Sequence, residues 1–343
     1  MKDNTITLCN QVIHPGETLS IKLPMPELYT YTPVDVPIHV INSKNPGPRL
    51  FVCAAIHGDE IAGVEIIRRL LKLSIIKNLK KGTLIAIPIV NIYGFIYQSR
   101  YLPDRRDLNR HFPGHKKGSL ASRLAKLFID QIVSQCTHGI DLHSGSIHRH
   151  NLPQIRANLN QSETEKLAKA FATRVILNAN LRDGSLRQAA NELGIPVLVY
   201  EAGEALRFDE ISIRTGVHGI LNVLRGLGML KSGTSRKKTK HTPPAIIRST
   251  VWVRAVRSGI FHPFKALGKK VEKSEHLGVI ADPFGNEEII ITAPRTGIII
   301  GRCNIPLINE GEALFHIACF KKTKQAEPLM DTPKSWDSSL PEE

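Results

Sequence analysis

His57-Gly58-Asp59-Glu60 sets an imidazole and a carboxylate three positions apart. The pair ends an apolar run, Leu50 to Ile56, that reads as a buried strand, and a helical pattern from Glu60 to Leu73 follows at once. If the first helical turn begins here, positions i and i+3 share a face and both side chains aim at one point. That is half a site for Zn²⁺, which takes nitrogen and oxygen ligands at about 2.0–2.2 Å. A catalytic zinc needs a third protein ligand and an open position. His143, in Asp141-Leu142-His143-Ser144-Gly145, ends another apolar strand and can face the same crevice. A lone histidine is more often a hydrogen-bonded core residue. One that ends a second strand, downstream of a histidine–glutamate pair, is better read as the third ligand.

Other residues could do the remaining chemistry. Glu201 follows the apolar stretch Ile195 to Tyr200. A carboxylate at the end of a buried strand is costly unless it has a task, either as a general base or as a helix cap. Glu204 is the competing carboxylate. Asp107-Leu108-Asn109-Arg110 lies in an arginine-rich polar loop that starts at Arg100. The Arg110 guanidinium is a fork for a carboxylate, and Asn109 can add a neutral hydrogen bond. Asp107 can accept from the far nitrogen of a ligand histidine and fix its tautomer. The plainer alternative is a solvated loop. His148 and His150, just past the third ligand, read as loop residues.

These groups need a scaffold that gathers strand ends. Apolar runs Leu50–Ile56, Thr83–Val90, Gly139–Leu142 and Pro196–Tyr200 alternate with helical patterns at Glu60–Leu73, Ser119–Ser134, Ser162–Thr173, Leu186–Leu193 and Asp209–Leu227. Such alternation predicts an α/β sandwich with a largely parallel sheet and a ligand site at the strands' carboxyl ends. Residues 1 to about 48 read as an extended entry segment with a strand at Val34–Val40, so the first domain spans 1–230. Residues 231–244 are basic and small, closed by prolines, and read as a linker. Residues 245–320 carry short strands between Gly and Pro turns, which predicts a small all-β domain. The polar tail 321–343 reads as disordered.

Composition narrows the classes. The chain has 343 residues, 42% of them hydrophobic, enough for one large domain and a small one. Five scattered cysteines without a CxxC motif suggest reduced thiols and argue against a cysteine zinc site. The amino-terminal residues lack the pattern of a signal peptide, and no run is long enough to span a membrane. A soluble cytoplasmic protein is the expectation. The formal charge of +15 points to an anionic partner. With 6% aromatic residues and no recognition motif, specific nucleic-acid binding is set aside. Oligomeric state is not legible, and a homo-oligomer stays open.

Taken in order, His57-x-x-Glu60, Asn109-Arg110, His143 and Glu201 resemble the pattern of M14-type zinc carboxypeptidases. The stretches Asp107 to Gly114, Asp141 to Gly145 and Tyr200 to Glu204 are closer to the succinylglutamate desuccinylase/aspartoacylase branch. The resemblance covers roughly residues 45 to 230. It implies a three-layer carboxypeptidase-like sandwich holding one Zn²⁺ per chain on His57, Glu60 and His143. Glu201 matches the general base, and Arg100 the arginine that polarises the scissile carbonyl. Asn109 and Arg110 match the clamp on the substrate carboxylate. Arg187 resembles a second carboxylate-binding arginine, with Arg182 as its rival. The implied activity is hydrolysis of an N-acyl amino acid, a small molecule. A carboxypeptidase, or a non-catalytic metal module docking on an anionic partner, are the alternatives.

The residues after the linker resemble the barrel-sandwich hybrid of lipoyl and biotinyl carriers, at Gly285-Asn286, Ala293 to Gly297 and Glu310-Gly311-Glu312. The hairpin turn lacks the carrier lysine, so a structural role is expected. One departure concerns the substrate. Aspartoacylase contacts its substrate with a tyrosine from the C-terminal domain, yet all six tyrosines here lie at or before Tyr200. A different pocket is expected, and N-acetylaspartate is put in doubt.

Overall fold

Strands Arg49–Ala54 and Thr83–Ile87 are apolar almost without interruption because both of their faces are covered. Alternate residues enter two separate cores. Phe51, Cys53, Ile85 and Ile87 join one; Leu50, Val52, Leu84 and Ala86 join the other. Helices close each core, which makes the protein an α/β three-layer sandwich with a mixed sheet, extended by further β-sheets near the C-terminus. The structure is a computed structural model that describes residues 4–27, 29–231 and 244–320. Apart from its end residues, the expected linker 231–244 lies outside the described residues, as does the tail 321–343.

In chain order, β1 (Ile6–Leu8) and β2 (Gln11–Ile13) form a hairpin, followed by β3 (Thr18–Pro24), β4 (Asp35–Asn42) and β5 (Arg49–Ala54). Then come α1 (Ala62–Lys72), β6 (Thr83–Ile87), α2 (Ile92–Ile96), α3 (Leu120–Gln131), β7 (His138–Gly145) and β8 (Arg149–Ala157). The first half closes with α4 (Ser162–Phe171), β9 (Val175–Asn178), α5 (Leu186–Glu192), β10 (Val197–Glu204) and α6 (Glu210–Gly226). Strands β6, β5, β7 and β10 are parallel neighbours in that order; β3 and β4 continue the sheet antiparallel at one side, and β8 lies antiparallel to β10 at the other. Ser119, Ser185 and Asp209 start α3, α5 and α6, each accepting from the backbone N–H three residues on.

After residue 244 come β11 (Ala245–Ile247), β12 (Thr250–Arg254), β13 (Gly259–Pro263), β14 (Lys270–Val271) and β15 (His276–Ala281). Then β16 (Glu288–Thr292), β17 (Gly297–Cys303), β18 (Leu307–Ile308) and β19 (Ala313–Cys319) follow. A four-stranded sheet, β16-β15-β13-β18, faces the β12-β19-β17 strands across a core that includes Phe261, Leu277, Ile299 and Phe315. These strands do not stand apart from the main sheet. β17 pairs antiparallel with the first residues of β8, and β11 pairs parallel with β9.

Several elements differ from the sequence expectation. The entry segment holds three strands before β4: β1 and β2 are only three residues each, and β3 alternates polar and apolar residues from Thr18 to Leu23. β8 and β9 are missing from the sequence reading. β8 carries two arginines, an asparagine, a glutamine and Pro153, a composition that reads as loop. It forms a strand because it is paired on both sides. His150, expected in a loop, therefore lies in β8, half-buried beside Asp209. His148 sits in the turn before it, at φ +64°.

Candidate metal centre and substrate cavity

β5, β7 and β10 run parallel, so the residues at their carboxyl ends converge. His143 and Glu201 are register neighbours on β7 and β10. Glu201 lies within β10 and not beyond it, since the strand continues to Glu204 through an irregularity. The His57–Glu60 pair is not in a helical turn: α1 begins at Ala62, and the Glu60 N–H donates to the His57 carbonyl at 3.1 Å in a tight turn ahead of it. The turn packs against the chain at Gly94. A Cβ on Gly58 would lie 1.9 Å from the Gly94 carbonyl carbon, so only glycine permits this path.

The turn aims both side chains at His143. Nδ1 of His57 is 2.7 Å from Glu60 Oε1, and Nδ1 of His143 is 2.7 Å from Glu60 Oε2. One ligand atom from each of the three residues lies within 4.8 Å of the others, and all three residues are buried. Each far nitrogen meets a carboxylate: His57 Nε2 lies 3.1 Å from Asp107, and His143 Nε2 lies 2.8 Å from Asp141. A proton held on each Nε2 leaves both Nδ1 lone pairs facing Glu60. Two lone pairs and a carboxylate converging in a buried space form a donor set that calls for a cation, and it suits Zn²⁺.

Charge is balanced closely here. Burial alone would raise the Glu60 carboxyl, but the two imidazoles outweigh it and hold Glu60 well below the usual carboxylate range. Burial would lower both imidazoles, and Glu60, Asp107 and Asp141 together raise them instead. Arg100 joins the group, donating to Glu60 Oε1 at 3.1 Å and to Asp107 at 3.0 Å. Asp107 thus serves His57 and Arg100 together, and it accepts from the Asn109 N–H at 2.9 Å.

The sequence assigns Asp141 no role, although the alternation of β7 puts it on the face of His143. If the group holds a metal ion, Asp141→Asn should lower its affinity by about 10–100-fold, the usual cost of losing the partner of a ligand histidine. Competition with a chelating dye measures it, and unchanged affinity would show that Asp141 does not orient His143.

The three residues open into a cavity of about 600 Å³. Arg100, Asn109, Arg110, Arg182, Arg187 and Glu201 line it as well. Glu201 accepts from Asn151 Nδ2 at 2.9 Å, and Arg156 Nε lies 3.7 Å away. Glu204 is turned elsewhere, bound by the His148 N–H and by Asn304 of the C-terminal strands. Asn109 and Arg110 sit in a single 3-10 turn, Leu108–Arg110. The Asn109 Oδ1 accepts from the Leu186 N–H at 2.9 Å, which ties that turn to the start of α5.

Arg187 projects from α5 with one buried guanidinium nitrogen, Nη1, that has no hydrogen-bond partner. Burial and the adjacent Arg156 push it down to about 10. Burial also lowers Arg110, with Arg182 adding to the effect. Several arginines crowded this way are stabilised when an anion enters. Sequence reasoning misses the wall formed by Arg149, Asn151, Arg156 and Trp252. The first three lie on the unrecognised β8, and Trp252 lies on β12.

The model of the succinylglutamate desuccinylase/aspartoacylase catalytic domain matches residues 46–227. The chain belongs to this family. A curated relative from Halomonas elongata, named N-alpha-acetyl-L-2,4-diaminobutyric acid deacetylase, is 24% identical over 295 residues, 83% of this chain and 86% of its own. The solved succinylglutamate desuccinylase of Silicibacter sp. TM1040 superposes with a TM-score of 0.80 at 24% identity, covering 93% of this chain and 99% of that one. A product-bound ectoine utilization protein from Ruegeria pomeroyi gives a TM-score of 0.79 at 23% identity, covering 93% and 100%. Both structures share the fold over nearly their whole length, so the C-terminal strands belong to the shared architecture. Among the described residues, no helix is long and apolar enough to cross a membrane.

Proposed function

We propose that this protein is a zinc-dependent hydrolase that cleaves the amide bond of an N-acyl amino acid or a related small amide bearing a carboxylate. The observation that carries this reading is the His57–Glu60–His143 group opening into the cavity that also holds Glu201, Asn109, Arg110 and Arg187. The deacetylase name of the Halomonas elongata relative supports it. His57 and His143 would hold one zinc ion through Nδ1, and Glu60 through a carboxylate oxygen. When bound, zinc supplies a Lewis acid and lowers the pKa of a water toward about 7.

The remaining steps fall to the chain's own residues. Glu201 takes a proton from the water that attacks the carbonyl and returns it to the leaving amine. Arg100 steadies the negative charge that develops on the carbonyl oxygen. Asn109 and Arg110 grip the free carboxylate and set its distance from the scissile bond, with Arg187 as a second contact. The products are a carboxylate and an amino acid. We place the protein in the cytoplasm, a reading supported by its five free cysteines.

A liquid-chromatography screen of N-acyl amino acids against short peptides, with zinc-loaded protein, tests this. Turnover of the acyl amino acids is expected, with kcat/KM of about 10⁴–10⁸ M⁻¹s⁻¹ on the right one. A clear preference for trimming peptides would make the protein a carboxypeptidase. Zinc binding without turnover of either class would make it a non-catalytic module.

A further inference from the structure

The C-terminal strands reach the cavity in one register row. Asn151 on β8 pairs with Gly301 on β17, Gly301 with His316 on β19, and His316 with Trp252 on β12. Paired positions point to the same face of a sheet, so this row runs from beside Glu201 to the indole. Gly301 is the close-packed point of the row, since a Cβ there would lie 3.1 Å from Asn151 Oδ1 and 3.2 Å from His316 Cβ. Glu201 and, from the C-terminal strands, Trp252 line the same cavity.

Trp252 is held in place from its own sheet. The His316 ring lies parallel to it, 4.0 Å between centres and 4° between planes. His316 is 3% exposed, and neither of its ring nitrogens has a hydrogen-bond partner. Burying such a ring is unfavourable, and burial with Arg156 and Arg149 nearby pushes it down to about 3, so it stays neutral. Its stacking under Trp252 is the contact that this burial serves. The Arg149 guanidinium lies over the indole, 5.3 Å from its centre, so the ring is stacked on His316 and meets the cavity beside Arg149. The indole and the guanidinium plane can both stack on a flat π-system, and Arg149 disfavours a cationic group.

Asn109, Arg110 and Arg187 take the amino-acid side of the scissile bond in the reading above, on which this inference rests. The acyl side is left to face the C-terminal strands. A cavity of about 600 Å³ is of the size that holds drug-sized ligands, more than an acetyl amino acid fills. We infer that Trp252 is a specificity-determining residue that receives the substrate's acyl group, and that this group is longer than acetyl and carries a flat π-system.

The test compares N-acetyl, N-hexanoyl and N-benzoyl derivatives of one amino acid on zinc-loaded full-length protein. In Trp252→Ala, kcat/KM for the benzoyl compound should fall about 10-fold or more, mostly through KM, as expected for lost pocket contacts. The acetyl compound should lose far less, and Trp252→Phe should recover most of the benzoyl activity. Equal losses on all three compounds, or no loss on any, overturn the inference. A second measurement needs no turnover. Trp252 and Trp336 are the chain's two tryptophans, so in Trp336→Phe the emission excited selectively from tryptophan comes from Trp252. Saturable change of that emission by N-benzoyl amino acid in chelator-treated protein is expected, and its absence overturns the inference. If no acyl amino acid is hydrolysed at all, the deacylase reading fails, and the emission titration alone decides the role of Trp252.

Discussion

With Glu201 as the proposed general base, Glu201→Gln should keep the fold and the zinc loaded onto it while lowering turnover by about 10²–10⁴-fold, the usual contribution of such a base. The substitution removes a proton acceptor and little else. Glutamine has the same shape, and its amide oxygen can still accept from Asn151 Nδ2, which holds the present carboxylate at 2.9 Å. β10 needs no charge at this point, because its pairing with β7 and β8 is through the backbone. The loss should therefore fall on kcat, with KM nearly unchanged. Metal analysis and steady-state kinetics on one preparation check both halves. Full activity in the zinc-loaded variant would take Glu201 out of the mechanism.

Glu60→Gln should have the larger effect on the metal. Glu60 is the anion between two imidazoles, and both of its carboxylate oxygens are engaged. A neutral amide supplies one weaker donor and no charge. Partners of ligand histidines cost about 10–100-fold in affinity when lost, so removal of a ligand itself should cost more than about 100-fold. Dialysed protein should lose its zinc, and its hydrolysis should fall to background with it. The variant also leaves Arg100 with Asp107 as its main acidic partner, so Arg100 should loosen. Metal content near one per chain in dialysed Glu60→Gln would exclude Glu60 as a ligand.

Much of this site is legible in the sequence because its residues end apolar strands. His143 closes a run that only a buried strand explains, and His57 closes another. Their convergence follows from parallel strands in an alternating α/β chain, without knowledge of any contact. The tight turn at His57–Glu60 is not legible, since it depends on Gly58 passing against Gly94, two segments distant in sequence. Asp141 is hidden by its surroundings: inside an apolar strand it looks like a stray charge until His143 is seen above it.

The β8 wall fails to show for a different reason. Arg149, Asn151 and Arg156 are poor strand formers, and their strand exists only because neighbours on both sides supply its backbone partners. Trp252 lies far along the chain and reaches the cavity through three successive strand pairings, each of them non-local. No periodicity in a single segment encodes such a chain of registers. The C-terminal strands carry no tyrosine, and Trp252 is an aromatic group that they bring to the cavity.

The joint between the two halves decides which strand edges a truncation would expose. The side of β8 that faces away from β10 is shared, with β17 along its first residues and β9 along its last. The outer side of β9 is in turn taken by β11. A chain cut after α6 would bare the backbone of Arg149–Asn151 and of Val175–Leu177, the second of these strongly apolar. Bare strand edges of this kind recruit other chains and lead to aggregation. The C-terminal strands are thus a guard against self-association, and shortening the protein to its metal-bearing half removes that guard.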